Sequence, residues 1–117
     1  MPTPVLPSSL KIGSRRYAVK VQRHVSRATM GEVNYTYGFI RVATHSARTG
    51  RKFRHAEVRD TFWHEVTHGI LWEMGHRLYR DEKFVGRFAN LLTGAIESAR
   101  FERREGRSMK SLAGGAR

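Results

Sequence analysis

Cysteine is absent from the chain. Disulfides and thiolate ligands are both excluded, so any metal must be held by imidazole and carboxylate groups. Proline is scarce, and its three copies, Pro2, Pro4 and Pro7, all fall in residues 1 to 9 together with Ser8 and Ser9. That composition predicts an extended, loosely held N-terminal arm. No apolar run approaches the roughly 20 residues of a membrane-spanning helix, so no membrane association is expected. The opening MPTPVLPSSLK lacks the basic patch and long apolar stretch of a secretory signal, which leads to the expectation of a cytoplasmic protein. Acidic side chains are few: 10 Asp and Glu stand against 22 Lys and Arg, a formal charge of +12. Such a field attracts polyanions but specifies no chemistry.

What is present suffices for one domain. With 117 residues, 39% of them hydrophobic, the chain can build a single modest core and not two. Residues 10 to 104 are expected to form that domain, and the basic, glycine-rich stretch 105 to 117 a disordered tail. Leu10 to Ile12 is expected to begin the fold, with Gly13 and Ser14 as a turn. Tyr17, Val19 and Val21 then alternate with Ala18, Lys20 and Gln22, the period of a half-buried strand. Gly31 to Tyr35 and Gly38 to Ala43 are rich in β-branched and aromatic residues and read as a hairpin turning near Thr36 to Gly38. The first half is thus expected to be a small antiparallel sheet of three or four strands. A helix is predicted from about Ala56 to Met74, capped by Gly75. A second starts after Asp81 as N-cap and carries a regular stripe: Phe84, Val85, Phe88, Leu91, Leu92, Ala95, Ile96 and Ala99. The fold class is α+β, with the sheet packed on two helices.

The chemistry lies in His64-Glu65-Val66-Thr67-His68, which reads H-E-x-x-H. On a helix, positions i and i+4 sit one turn apart on one face, so two imidazoles can share one ion. Zn²⁺ held by three protein ligands leaves a fourth position for water, and a neighbouring carboxylate can take the water's proton. Glu65 fills that role. The motif's neighbours Thr61, Phe62, Trp63, Val66, Thr67, Gly69 and Ile70 are all uncharged in a chain where 27% of residues are charged. A buried helix, not a solvated one, has this composition.

From Leu10 to about Ser98 the chain resembles the zincin metallopeptidases, in particular a compact, often phage-encoded group related to ImmA/IrrE-type peptidases. The residues that carry the resemblance are T-F-W-H-E-V-T-H-G-I-L-W-E-M-G at 61 to 75 and D-E-K-F-V-G-R-F-A-N-L-L at 81 to 92. It implies a minimal zincin-like fold, a Zn²⁺ cofactor, a polypeptide substrate and a third ligand on the helix after the motif, at Glu82. The residues themselves leave Asp81 and His76 open as alternatives. The resemblance also implies that Phe39, Ile40, Arg41, Val42 and Ala43 form the edge strand that pairs with substrate. The metzincin variant does not apply, since Leu71 and Met74 stand where it needs Gly and His. Glu97 lies about 22 Å along the helix from Glu82 and reads as solvated surface.

An acyl-transfer site also needs a donor for the developing oxyanion. His76 and Tyr79, in the link between the helices, qualify by position, whereas Tyr35 and Tyr37 read as sheet packing. The expected activity is peptide-bond hydrolysis by zinc-bound water with Glu65 as base. The rival reading is a basic nucleic-acid-binding module with a structural or inactive metal site, drawing on Arg41, Arg48, Arg51, Lys52, Arg54 and Arg59, and on Arg100, Arg103, Arg104, Arg107 and Lys110. At the least, a charge of this size predicts non-specific contact with nucleic acid. A zinc hydrolase of non-peptide bonds is a third.

Overall fold

The computed structural model describes residues 6–102. Residues 1–5 of the expected arm and the expected tail at 105–117 lie outside the described residues. Four strands, β1 (Ser9–Ile12), β2 (Arg15–Gln22), β3 (Gly31–Asn34) and β4 (Phe39–Ala43), precede two helices, α1 (His55–Glu73) and α2 (Glu82–Ser98), with a 3₁₀ turn at Arg77–Arg80 between them. This is the α+β arrangement expected: a sheet from the N-terminal half, packed against two helices.

The sheet departs from the expectation in one respect. Its order is β1-β2-β4-β3, and β2 pairs parallel with β4, Ala18 opposite Phe39 and Val21 opposite Val42. The sheet is therefore mixed, not antiparallel. The eight residues Arg23 to Met30 are long enough to carry the chain past one strand position, some 9–10 Å from β2. There β3 runs along the rim, and the hairpin returns β4 into the gap. Consequently Phe39, Ile40, Arg41, Val42 and Ala43 form an interior strand, paired on both sides, and cannot be a substrate edge. The edge is β3.

Alternation along each strand puts Tyr17, Ile40 and Val42 on the inner face, where they are fully buried against Val58, Phe62 and Val66 of α1. A capping box starts α1, with the Glu57 carboxylate accepting from the Arg54 N–H at 2.7 Å. The helix ends where Gly75 takes φ +68°, a conformation that a side chain disfavours, and the His76 N–H bonds back to the Leu71 carbonyl. At that end Tyr17, buried on β2, donates its hydroxyl to Glu73 Oε2 at 2.6 Å, with Arg15 at 3.8 Å from the same carboxylate. Ile70 and Met74 are exposed although they follow Phe62 and Val66 at helical spacing, and Leu71 is buried. Likewise, of the regular α2 stripe only Val85 is buried, beside Ala89, which the stripe does not include. The reason is that α2 lies against α1 and the 3₁₀ turn alone, so Phe84, Phe88, Leu91 and Ile96 face away from any layer of the domain. No described helix is long and apolar enough to cross a membrane.

The Tyr17–Glu73 bond ties the sheet to the last turn of the motif helix. Tyr17→Phe is expected to lower stability by about 1–2 kcal/mol, read as a lower midpoint in urea with an unchanged slope.

Candidate metal centre

His64 and His68 are separated by one helical turn on α1, and their rings stand 5.0 Å apart. Opposite them lies Glu82, the first residue of α2. One oxygen of its carboxylate is 3.0 Å from His64 Nε2 and the other 3.1 Å from His68 Nε2. Ligand atoms of all three side chains fall within 4.8 Å of one another, a group that can hold a metal ion. The backbone explains how Glu82 arrives there. Asp81 caps α2, its Oδ1 accepting from the Phe84 N–H at 2.9 Å, so the carboxylate that follows it projects towards α1. Asp81 is thereby committed to the helix and does not join the group. His76 does not join it either, since its Nδ1 accepts from the Leu78 N–H at 3.1 Å and caps the 3₁₀ turn.

Chemistry of the donors decides whether a cation fits. The Tyr79 carbonyl can only accept, and it lies 2.6 Å from His68 Nδ1, so that nitrogen carries the hydrogen. In the neutral ring Nε2 then presents a lone pair to Glu82 Oε2. Such an acceptor-to-acceptor approach is relieved only by a proton or a cation between them, and a backbone carbonyl behind the ring is the usual way a ligand imidazole is oriented. The residues fit a metal. With two imidazoles and one carboxylate they lack the soft ligands that thiolate-selective metals need.

Glu65 is buried, 8% exposed. Its carboxyl is pushed up to about 8, first by burial and then by the negative charges of Glu82 and Glu32. Positive charge held by the neighbouring ligands would act in the opposite direction. Room for the Glu65 carbon chain comes from Gly31. A Cβ at that position would lie 2.6 Å from Thr61 Cγ2 and 3.1 Å from Glu65 Cγ, so only glycine lets β3 approach the motif helix this closely.

These groups face an open cleft of about 700 Å³, lined also by Met30, Gly31, Val33, Tyr35, Tyr79 and Arg80. Tyr35 stacks on Trp72 at 4.6 Å and meets Tyr79 edge-on. Burial, then the charge of Glu65, pushes its hydroxyl up to about 12, which keeps it a neutral donor. Sequence reasoning missed Tyr35 and Gly31. A tyrosine beside a hairpin turn and a glycine at a strand start carry no local signal of a helix that approaches from 30 residues further on. Tyr79, a sequence candidate, does line the cleft, and its carbonyl is the group that orients His68. Glu97 is paired with Arg59 at 2.8 Å, far from the group.

No family model, curated protein or solved structure matches this chain.

A carboxyl raised on folding makes stability depend on pH in a definite sense. Between its ordinary value near 4.5 and about 8 the folded chain holds a proton that the unfolded chain has released, so stability falls as pH rises through this window. In metal-free protein, kept so by chelator, wild type is expected to lose stability relative to Glu65→Gln from pH 5 to 8, by on the order of a few kcal/mol. Melting temperatures of the two proteins across the range check it.

Proposed function

We propose that this chain is a zinc-dependent peptidase, with His64, His68 and Glu82 as metal ligands and Glu65 as general base. One observation carries the reading. Two imidazoles and a carboxylate converge beside a buried glutamate, at the floor of a cleft whose rim is a strand with a free side. Bound zinc would supply a Lewis acid that acidifies water and polarises a carbonyl oxygen.

The chain's own residues account for the rest. Glu65 follows the first ligand by one residue and accepts a proton from the attacking water. It then delivers that proton to the leaving amine nitrogen as the C–N bond breaks, so one water is consumed and one carboxyl and one amine are released. A carboxyl with a raised pKa gives up its proton less readily than an exposed one, and a cation held by His64, His68 and Glu82 would lower that pKa towards neutrality. Tyr35, a neutral phenol on the cleft wall, is the donor for the oxygen that gains negative charge. Tyr79 acts through His68, by fixing which ring nitrogen carries hydrogen, and so is a positioning residue.

Substrate binding follows from the corrected sheet order. Among the described residues β3 pairs only with β4, and its residues Gly31 to Val33 line the cleft. An extended polypeptide can add to that side as a further strand, held by backbone hydrogen bonds that ignore side-chain identity. Zinc is favoured over Ca²⁺ or Mg²⁺ because those ions prefer oxygen shells, whereas two of the three donors here are nitrogens.

Protein purified without added metal is expected to contain about one zinc per chain by elemental analysis, and His64→Ala/His68→Ala essentially none. Glu65→Gln should keep the zinc and lose turnover of a fluorogenic peptide library by about 10²-fold or more. Tyr35→Phe should lower kcat by about 10²-fold with a smaller change in KM. Absence of metal uptake in wild type, or full activity in Glu65→Gln, would overturn the mechanism.

A further inference from the structure

The metal cleft uses the inner side of the sheet and its β3 edge, and leaves the outer side unassigned. Alternation along β2 puts Arg16, Ala18 and Lys20 on that outer face, all exposed. The register adds neighbours of like charge, with Lys11 of β1 opposite Arg16 and Arg41 of β4 opposite Lys20. Between the two rows of cations sits Phe39, which is opposite the small Ala18 and therefore not covered from that side. Lys20 Nζ lies 4.4 Å from the centre of its ring and the Arg41 guanidinium 5.6 Å. Glu32, opposite Arg41 on β3, is the one acidic residue registered on this face among the described strands, and it is engaged by the Arg41 Nε–H at 2.7 Å.

The positive field does not end with the strand. Beyond β2, Arg23, Lys52 and His24 crowd His45, and after desolvation their charges hold its imidazole below the usual value. Elsewhere, Arg51 and Arg54, ahead of the motif helix, share Glu57, and Arg59, in its first half, is paired with Glu97. On the outer face of the sheet, by contrast, four cations, Lys11, Arg16, Lys20 and Arg41, stand against one acid, Glu32.

We propose that the outer face of the sheet binds single-stranded nucleic acid, with Lys11, Arg16 and Lys20 meeting phosphates and Phe39 stacking a base. Charge complementarity selects a polyanion. The ring selects an unpaired strand: a phenyl face framed by cations stacks a base only when that base is free of its duplex partner. The face projects no helix or ribbon that could enter a duplex groove, which is what reading of paired bases requires. Lys20 already occupies the ring's face as a cation, and on binding it exchanges that contact for a phosphate while the base takes its place. Lys11, Arg16 and Lys20 lie on the opposite side of the sheet from the helix that carries His64 and His68, so binding there does not require the metal ligands.

The test is fluorescence anisotropy with a labelled oligothymidylate of about 20 nucleotides, over a salt series, on full-length protein whose fold is checked by circular dichroism. Wild type is expected to bind with an affinity that falls linearly with salt on logarithmic axes. Arg16→Glu/Lys20→Glu should bind at least about tenfold more weakly, with a salt slope shallower by roughly 1.4, two single-strand phosphate contacts. Phe39→Leu keeps an apolar side chain in the strand and should weaken binding by about tenfold while leaving the slope unchanged. His64→Ala/His68→Ala should bind like wild type. No binding by wild type, a double charge reversal with unaltered affinity and slope, a Phe39→Leu variant that binds like wild type, or equal affinity for a duplex of the same length would each overturn the proposal.

Discussion

The hydrogen bond between His68 Nδ1 and the Tyr79 carbonyl, 2.6 Å long, organises more of this molecule than any other contact of its size. It selects the ring nitrogen that faces the cleft. It also holds the segment between the helices against the motif helix, so that the turn ends at Asp81 in the geometry of an N-cap. Glu82 is the next residue, and its position against His64 and His68 follows. Were the link one residue longer, the helix would start elsewhere and its first carboxylate would face solvent, since successive side chains on a helix are 100° apart.

Burial around α1 sets the chemistry of what that geometry assembles. The helix is enclosed by the sheet on one side and by α2 on another, so Glu65 and His68 are buried although both are polar. A buried group that can ionise is costly unless it is paired or neutralised, and here the acid is neutralised in metal-free protein while the imidazole is paired. Gly31 is what permits the enclosure. The strand that lines the cleft comes near enough to contact Thr61 and Glu65 because its first residue has no side chain. The same closeness that buries Glu65 also brings β3, which among the described residues pairs only with β4, beside His64, His68 and Glu82.

The two faces of the sheet divide the molecule's charge. Inner positions are apolar and meet the helix, while outer positions carry Lys11, Arg16 and Lys20 around one aromatic ring. Period-two alternation alone would allow any polar residue outside. A face this rich in cations repels itself, and the fold tolerates that because the side chains are long and solvated and Glu32 offsets the neighbouring Arg41.

Much was legible from the residues alone, because the signals were local. The H-E-x-x-H spacing places His64, Glu65 and His68 by helical geometry, Gly75 ends the helix by its own backbone freedom, and Asp81 starts the next by its short acceptor side chain. Strand alternation likewise marked β2, and β-branched and aromatic enrichment marked the hairpin of β3 and β4. What tertiary structure alone decided are the relations between distant segments. The parallel pairing of β2 with β4 depends on where an eight-residue loop lands, and no pattern within a strand encodes its neighbour; hence β4 is interior and β3 the edge. The α2 stripe has the period of a buried face, yet burial needs a second layer that the chain does not provide on that side. Choosing Glu82 over Asp81 and His76, and bringing Gly31 and Tyr35 to the cleft, required the packing of elements 18 to 34 residues apart. Those choices rest on distances across the fold, and local propensity carries no record of distance.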